Sequence, residues 1–107
     1  MAVRHNVNMR VISKALLRRF WERNSASRNA LEAWHSSVTN ATWASFADLK
    51  QSYPAADIVK ASSNRVVFDI SGNKLRLIAV VDFVRHGVLI RWIGTHAEYD
   101  KVDARNI

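Results

Sequence analysis

Leu75-Arg-Leu-Ile-Ala-Val-Val-Asp-Phe83 is close to continuously apolar, with charge only at Arg76 and Asp82. A strand with one wet face alternates apolar and polar residues, whereas a near-continuous run belongs to a strand covered on both faces. The stretch therefore predicts the central strand of a sheet, with helices over one of its faces. On either side lie three more β-branched runs, Asp57-Ile-Val-Lys-Ala61, Arg65-Val-Val-Phe-Asp-Ile70 and Val88-Leu-Ile-Arg-Trp-Ile93. Ser62-Ser-Asn64, Ser71-Gly-Asn73 and His86-Gly87 separate them, each short enough for a hairpin, so the economical topology is an antiparallel meander. Read as a two-residue turn, His86-Gly87 sets Asp82 opposite Arg91, on the face that carries Arg76.

Pro54, the only proline, divides this strand-forming half from a helical one. From Lys14 onward, Ile12, Leu16, Phe20 and Asn24 fall on one helical stripe, with Leu17 and Trp21 beside it and Arg18, Arg19, Glu22 and Arg23 on the rest. Ser25-Ala-Ser-Arg-Asn29 supplies turn and N-cap chemistry, and a second helix from about Asn29 to Val38 carries Leu31, Trp34 and Val38 on one side. The two read as a hairpin. Thr42 to Lys50 is expected to make a short third helix before Tyr53-Pro54. Thr95 and Glu98 have the spacing of a capping box for a last short helix. The opening Met9-Arg-Val-Ile-Ser13 is short and β-leaning. Residues 1–8 show no periodicity and are expected as a flexible tail, with 9–107 a single domain and Met9 an alternative start of translation.

The chain has 107 residues, 49% hydrophobic, which fits one compact core. It lacks cysteine, which excludes a disulfide scaffold, a thiol nucleophile and an iron–sulfur site. His5, His35 and His86 have no metal-ligand spacing, no glycine-rich phosphate loop is present, and no serine has a nucleophile-elbow context. No metal or cofactor is expected. Neither a secretory hydrophobic region nor a membrane-length apolar run occurs, so the expectation is a soluble, cytoplasmic protein without membrane contact. The formal net charge of +7 points to a polyanionic partner, nucleic acid or an acidic protein. Seven basic side chains stand against Glu22 and Glu32 in residues 1–35, and six against four acidic ones after residue 70, giving two basic regions.

In a meander, Asn73-Lys74-Leu-Arg76 at the start of the central strand and Thr95-His96-Ala-Glu-Tyr99 after the last strand come to the same end of adjacent strands. Lys74 and Arg76 share a face by alternation and suit a phosphate and the charge that develops on it. His96 has the chemistry of a general acid or base, and Tyr99, one turn on, of a base-stacking or hydroxyl-donating residue. Plain readings stand beside these: Lys74 and Arg76 as solvated strand residues, His96 as a cap or core histidine, Tyr99 as a helix anchor, and Arg18, Arg19 and Arg23 as a wet helix face. Trp34 and Trp43 read as core; Trp92 reads as a second core contact or a stacking platform.

The run Ser71-Gly-Asn-Lys-Leu-Arg-Leu-Ile-Ala-Val-Val-Asp-Phe83, then Ile90-Arg91 and Thr95-His-Ala-Glu-Tyr-Asp100, resembles the HigB-type toxins of bacterial type II toxin–antitoxin modules, in the RelE-like superfamily. Met9-Arg-Val-Ile-Ser-Lys-Ala-Leu16 and Trp43 with Phe46-Ala-Asp-Leu-Lys50 are similar as well, so the likeness covers residues 9 to about 102. It implies an α+β, RelE-like fold, an N-terminal helical hairpin on a four- to five-stranded antiparallel sheet with a short C-terminal helix. It implies a ribosome-dependent mRNA endoribonuclease that cleaves translated mRNA without metal through 2′-hydroxyl attack. A HigA-type helix-turn-helix antitoxin would neutralise it and carry any contact with operator DNA. Asn73, Lys74 and Arg76 fall on the family's first motif, and His96 and Tyr99 on its second; Arg91, Lys50, Lys60, Arg18 and Arg19 are candidates for further RNA or ribosome contacts. The competing readings are a non-catalytic toxin that binds the ribosome or DNA gyrase, and a small basic nucleic-acid-binding domain whose affinity falls with salt.

Overall fold

The structure, a computed structural model, describes residues 7–60, 63–72 and 74–107. In chain order the elements are β1 (Arg10–Ile12), α1 (Lys14–Arg23), a 3-10 turn (Ser25–Ser27), α2 (Arg28–Thr39), α3 (Phe46–Ser52), β2 (Asp57–Lys60), β3 (Arg65–Ile70), β4 (Leu75–Asp82), β5 (Gly87–Thr95) and α4 (His96–Tyr99). The strands form one sheet in the order β1-β5-β4-β3-β2, so the apolar run from Leu75 is its middle strand. β2 to β5 are the expected antiparallel meander. β1 joins outside β5 and runs parallel to it, Arg10 to Ile12 lying beside Gly87 to Leu89, so the sheet is mixed rather than wholly antiparallel. A parallel neighbour needs a long crossover, which the whole of α1 to β4 provides.

One face of the sheet carries the helices. Leu17, Phe20 and Trp21 of α1 and Leu31, Trp34 and Val38 of α2 pack with Phe68 of β3, Leu77 and Val81 of β4, and Val88 of β5 in one buried cluster. Aromatic edges connect its layers, Trp34 meeting Phe68 at 5.4 Å and Phe68 meeting Tyr53 at 5.2 Å between ring centroids. The α1 stripe is centred one position away from the expected one. The helix starts only at Lys14, so Ile12 lies on β1 and is exposed, and Leu16 sits at the margin of the core. Burying Phe68 and Leu17 fully is worth about 1.5–3 kcal/mol each.

The opposite face is covered in part by the chain's last residues. Val67 and Ile78 form a second buried cluster with Ala104, and Trp92, Tyr99, Val102 and Ile107 pack against it. Arg65 fastens this cover, donating from Nη2 to the Ile107 carbonyl oxygen at 2.8 Å. β4 is thus covered on both faces, by helices on one and by this returning segment on the other.

Local departures from the sequence reading have local causes. α3 begins at Phe46, not Thr42, because Ser45 Oγ accepts the Asp48 N–H and the Asp48 carboxylate accepts the Ala44 N–H. Ser27 does not cap α2; its hydroxyl donates to the Asn24 carbonyl at 2.6 Å. The Asp82–Arg91 pairing does not form. Asp82 sits opposite Gly87, because residues 83–86 make a four-residue loop in which Asp82 Oδ1 accepts the N–H groups of Val84 and Arg85 and His86 turns through φ +57°. Between the partners of Ile78 and Ala79, Arg91 is an extra residue, a β-bulge. Of the expected tail, residues 1–6 lie outside the described residues.

Candidate active site

β3 and β4 are joined through Ser71 and Gly72, both in left-handed backbone conformation at φ +57° and +68°. That tight loop sets Ile70 opposite Leu75 and Asp69 opposite Arg76. On the other side of β4, Leu75 pairs with Thr95, so β5 ends beside the start of β4. The His96 N–H then donates to the Lys74 carbonyl at 3.1 Å, joining the two candidate segments directly.

α4 is a single turn held by its capping box. Thr95 Oγ1 accepts the Glu98 N–H at 3.1 Å, and Glu98 Oε1 accepts the Thr95 N–H at 2.8 Å. Those bonds, the Thr95 backbone first, hold the Glu98 carboxyl below its ordinary pKa. The turn puts His96 at its start and Tyr99 at its end, and they do different things. His96 is exposed, with Nδ1 3.6 Å from Asp100 Oδ1. Tyr99 lies over the open face of the sheet, its ring centroid 5.9 Å from the Arg76 guanidinium and 6.2 Å from the Trp92 ring. Burial raises the Tyr99 pKa, the Asp57, Asp69 and Asp100 carboxylates push the same way, and Arg76 opposes them. The phenol keeps its proton at neutral pH and is available as a hydrogen-bond donor.

Arg76 is largely enclosed, with 11% of its side chain exposed. Its Nε lies 3.2 Å from Asp69 Oδ1, so the guanidinium has a carboxylate beside it and an aromatic ring over it. Lys74, two residues earlier, is exposed at the rim. Lys74, Arg76, His96 and Tyr99 are therefore brought to one end of the sheet. Asn73 lies outside the described residues.

The other candidates lie elsewhere. Lys50 Nζ donates to the Pro54 and Ala56 carbonyls, both at 2.7 Å, and closes the α3–β2 connection. Lys60 ends β2, its side chain outside what is described. Arg18 is exposed on α1. Arg19 and Arg91, with Arg23 and Trp92, line a groove of about 320 Å³ between α1 and β5. Trp92 connects that groove to Tyr99. Gly94 makes its position possible, since a Cβ there would collide with the Trp92 ring. Among the described residues, no three His, Asp or Glu side chains group as metal ligands would.

Sequence reasoning missed Asp69 and Asp57. The signal for Asp69 was the hairpin register, since with Ile70 opposite Leu75 any acid at 69 must face Arg76. Asp57 carries no such signal, because its approach to Tyr99 depends on how the last segment folds back.

The sequence model of the HigB toxin family, described as the RelE-like toxic component of a toxin–antitoxin system, matches residues 27–102. The chain belongs to this family. The HigB match contains both candidate segments, 71–76 and 95–100, together with Lys50, Lys60 and Arg91, and begins after Arg18 and Arg19. Among curated HigB proteins, the chain is similar to the mRNA interferase HigB of Escherichia coli O6:H1 strain CFT073, with 29% identity over 94 residues, 88% of this chain and 91% of that one. The mRNA interferase toxin HigB of Escherichia coli K12 and the mRNA interferase HigB of Shigella flexneri are each 29% identical over 92 residues, 86% of this chain and 88% of theirs. The helices, sheet and short C-terminal helix are those a RelE-like toxin of the HigB family calls for. No helix among the described residues is long and apolar enough to cross a membrane.

Proposed function

We propose that the chain is a toxin that cleaves translated mRNA, a ribosome-dependent endoribonuclease held in check by a HigA-type helix-turn-helix antitoxin. The observation that carries this reading is the His96 N–H to Lys74 carbonyl bond, with Tyr99 over Arg76, which assembles a cation pair, an imidazole and a phenol in 26 residues of sequence that fold onto one sheet end. The names of the three curated relatives, all mRNA interferases, support the same reaction class.

In the proposed reaction the ribose 2′-oxygen attacks the adjacent phosphorus and the bond to the 5′-oxygen breaks, leaving a 2′,3′-cyclic phosphate and a 5′-hydroxyl. His96 or Lys74 takes the 2′-hydroxyl proton, and the departing 5′-oxygen receives one from a protonated partner at the same rim. Arg76 neutralises the phosphate as charge builds on its oxygens, displacing Asp69 as it does so. Tyr99 positions a nucleotide by stacking or through its hydroxyl, and Asn73, next to Lys74 in the sequence, is a further proposed catalytic residue. All of these are side-chain or backbone roles, with no metal or cofactor required. Arg91, Arg18 and Arg19 are the proposed contacts to RNA or ribosome, with Lys60 as a further one; Lys50, already engaged with two carbonyls, contributes through the α3–β2 connection. The reading places the protein in the cytoplasm, with operator DNA reached only through the antitoxin.

The test is tightly induced expression of the chain and of Arg76→Ala/His96→Ala in a bacterial host, with new mRNA 5′ ends mapped. The expected result is growth arrest with cuts inside translated regions for the parent, and neither for the folded variant. Arrest without cuts would replace the ribonuclease by a toxin that acts by binding alone.

A further inference from the structure

The C-terminal segment covers only part of the sheet's open face. Its last contact is the Arg65–Ile107 clamp, and beyond Arg65 the same cross-strand row continues through Val80 and Leu89 to Ile12. Ile12 is 46% and Leu89 37% exposed and Val80 is half-buried, so three apolar side chains stand next to one another on neighbouring strands and, among the described residues, line a groove. Single exposed apolar residues are ordinary on a surface, but a registered row is not. The adjacent row reads Arg10, Gly87, Asp82. Gly87, itself buried, puts no side chain at the centre of that row, and a Cβ there would meet nothing within 4 Å beyond its own chain neighbours. Together the rows form a groove of about 230 Å³.

The charge around this groove is one-sided. Arg10 and Arg85 are exposed at its margin. Among the described residues that line it the one carboxylate is Asp82, which is turned into the β4–β5 loop, where it accepts the two N–H groups of Val84 and Arg85, each at 3.0 Å. An apolar floor is a poor seat for a sugar–phosphate backbone, but it suits an amphipathic peptide whose apolar side chain enters the groove and whose carboxylates reach Arg10 and Arg85. We infer that this groove is the docking site of the cognate antitoxin, occupied by an acidic amphipathic segment. The inference rests on the toxin–antitoxin reading of the family and adds to it a place. That place is at the far end of β4 from Arg76, so the antitoxin acts by preventing entry to the ribosome rather than by filling the cluster around Arg76 and His96.

The test uses the full chain and the antitoxin encoded beside it, with affinity measured by calorimetry for the parent, Leu89→Asp, and the charge reversal Arg10→Glu/Arg85→Glu. Each variant is expected to weaken binding at least about tenfold, and the charge reversal also to flatten its dependence on salt. Arg105→Glu, a single charge reversal on the C-terminal segment, is expected to stay within about twofold. Unchanged affinity in both groove variants overturns the inference, as does sedimentation showing that the isolated chain dimerises and that Leu89→Asp makes it monomeric. Should Leu89→Asp fail to fold, the charge reversal, which alters only exposed side chains, decides the matter. Growth arrest by the parent alone reads the toxin proposal separately, so a failure of that proposal leaves the affinity comparison intact.

Discussion

Asp69 and Arg76 face each other across β3 and β4 and hold a 3.2 Å ion pair beneath the ring of Tyr99. The pair does two things at once. It holds the guanidinium against the sheet, and it occupies charge that a phosphate would use. Arg76→Ala leaves a partly covered carboxylate without its cation. It is expected to lower stability by about 1–2 kcal/mol, less than a fully buried pair because Asp69 is still reached by water, as read by urea denaturation. Asp69→Asn keeps the shape and removes the competitor, so RNA affinity is expected to rise several-fold. Unchanged affinity would mean that Asp69 and the phosphate do not compete for Arg76.

Tyr99→Phe keeps the ring over Arg76 and against Trp92 and removes only the hydroxyl. Stability is expected to change by less than about 0.5 kcal/mol, while cleavage falls at least about tenfold if the hydroxyl touches substrate. The parent also carries a pH signature. Because the folded pKa of Tyr99 is raised, the linked stability is full below the unfolded value of about 10 and is lost as pH rises through the folded value. That alkaline loss is absent from Tyr99→Phe, and thermal melts across the alkaline range separate the two.

Removing the cap from α4 should disturb the site more than the fold. Thr95→Ala deletes the acceptor for the Glu98 N–H and costs about 1 kcal/mol. A one-turn helix has no second turn to hold His96 and Tyr99, so activity is expected to fall further than stability does. Equal losses in kcat and in the folded fraction would show that α4 stays in place without its cap.

Gly94→Ala sets a Cβ against the Trp92 ring. The ring must rotate away from Tyr99 or the strand must shift, at about 1–3 kcal/mol. Tryptophan emission is expected to move to the red as Trp92 becomes wetter, and a wild-type spectrum and melting temperature would show that the ring has room to turn.

Acid should weaken the helical layer. Burial, with Lys14 nearby, lowers the His35 pKa, so the unfolded chain takes up a proton where the folded one does not. Stability is therefore full above about pH 6.5 and is lost as pH falls through the depressed folded value. His35→Gln is expected to flatten that limb of the pH–stability curve, measured by chemical denaturation across the acid range.

The middle strand, the meander and the helical hairpin were legible in the chain because their patterns are local. An apolar run from Leu75, a stripe of Leu31, Trp34 and Val38, and the Thr95–Glu98 spacing each carry their own physics. The parallel seat of β1 was not legible, since the partner of Arg10–Ile12 lies some 75 residues on and no short-range feature selects it. The convergence of Lys74, Arg76, His96 and Tyr99 followed from topology alone. The engagement of Arg76 with Asp69 needed the register of one hairpin, and the engagement of Lys50 with two carbonyls needed the path of the chain after Pro54.

The bulge at Arg91 has a consequence for the gene as much as for the strand. Up to Ile90, residues of β5 with even numbers point to the helices; beyond the bulge the odd ones do, and Trp92 is thereby delivered to the layer that holds Tyr99. An in-frame loss of that one codon would close the bulge and restore plain alternation, with Trp92 still opposite Ile78 and Ile93 still opposite Leu77. Toxins of this architecture can therefore carry or lack a residue at Arg91 without turning Trp92 from Tyr99, and what such a three-nucleotide difference changes is the local twist of β5.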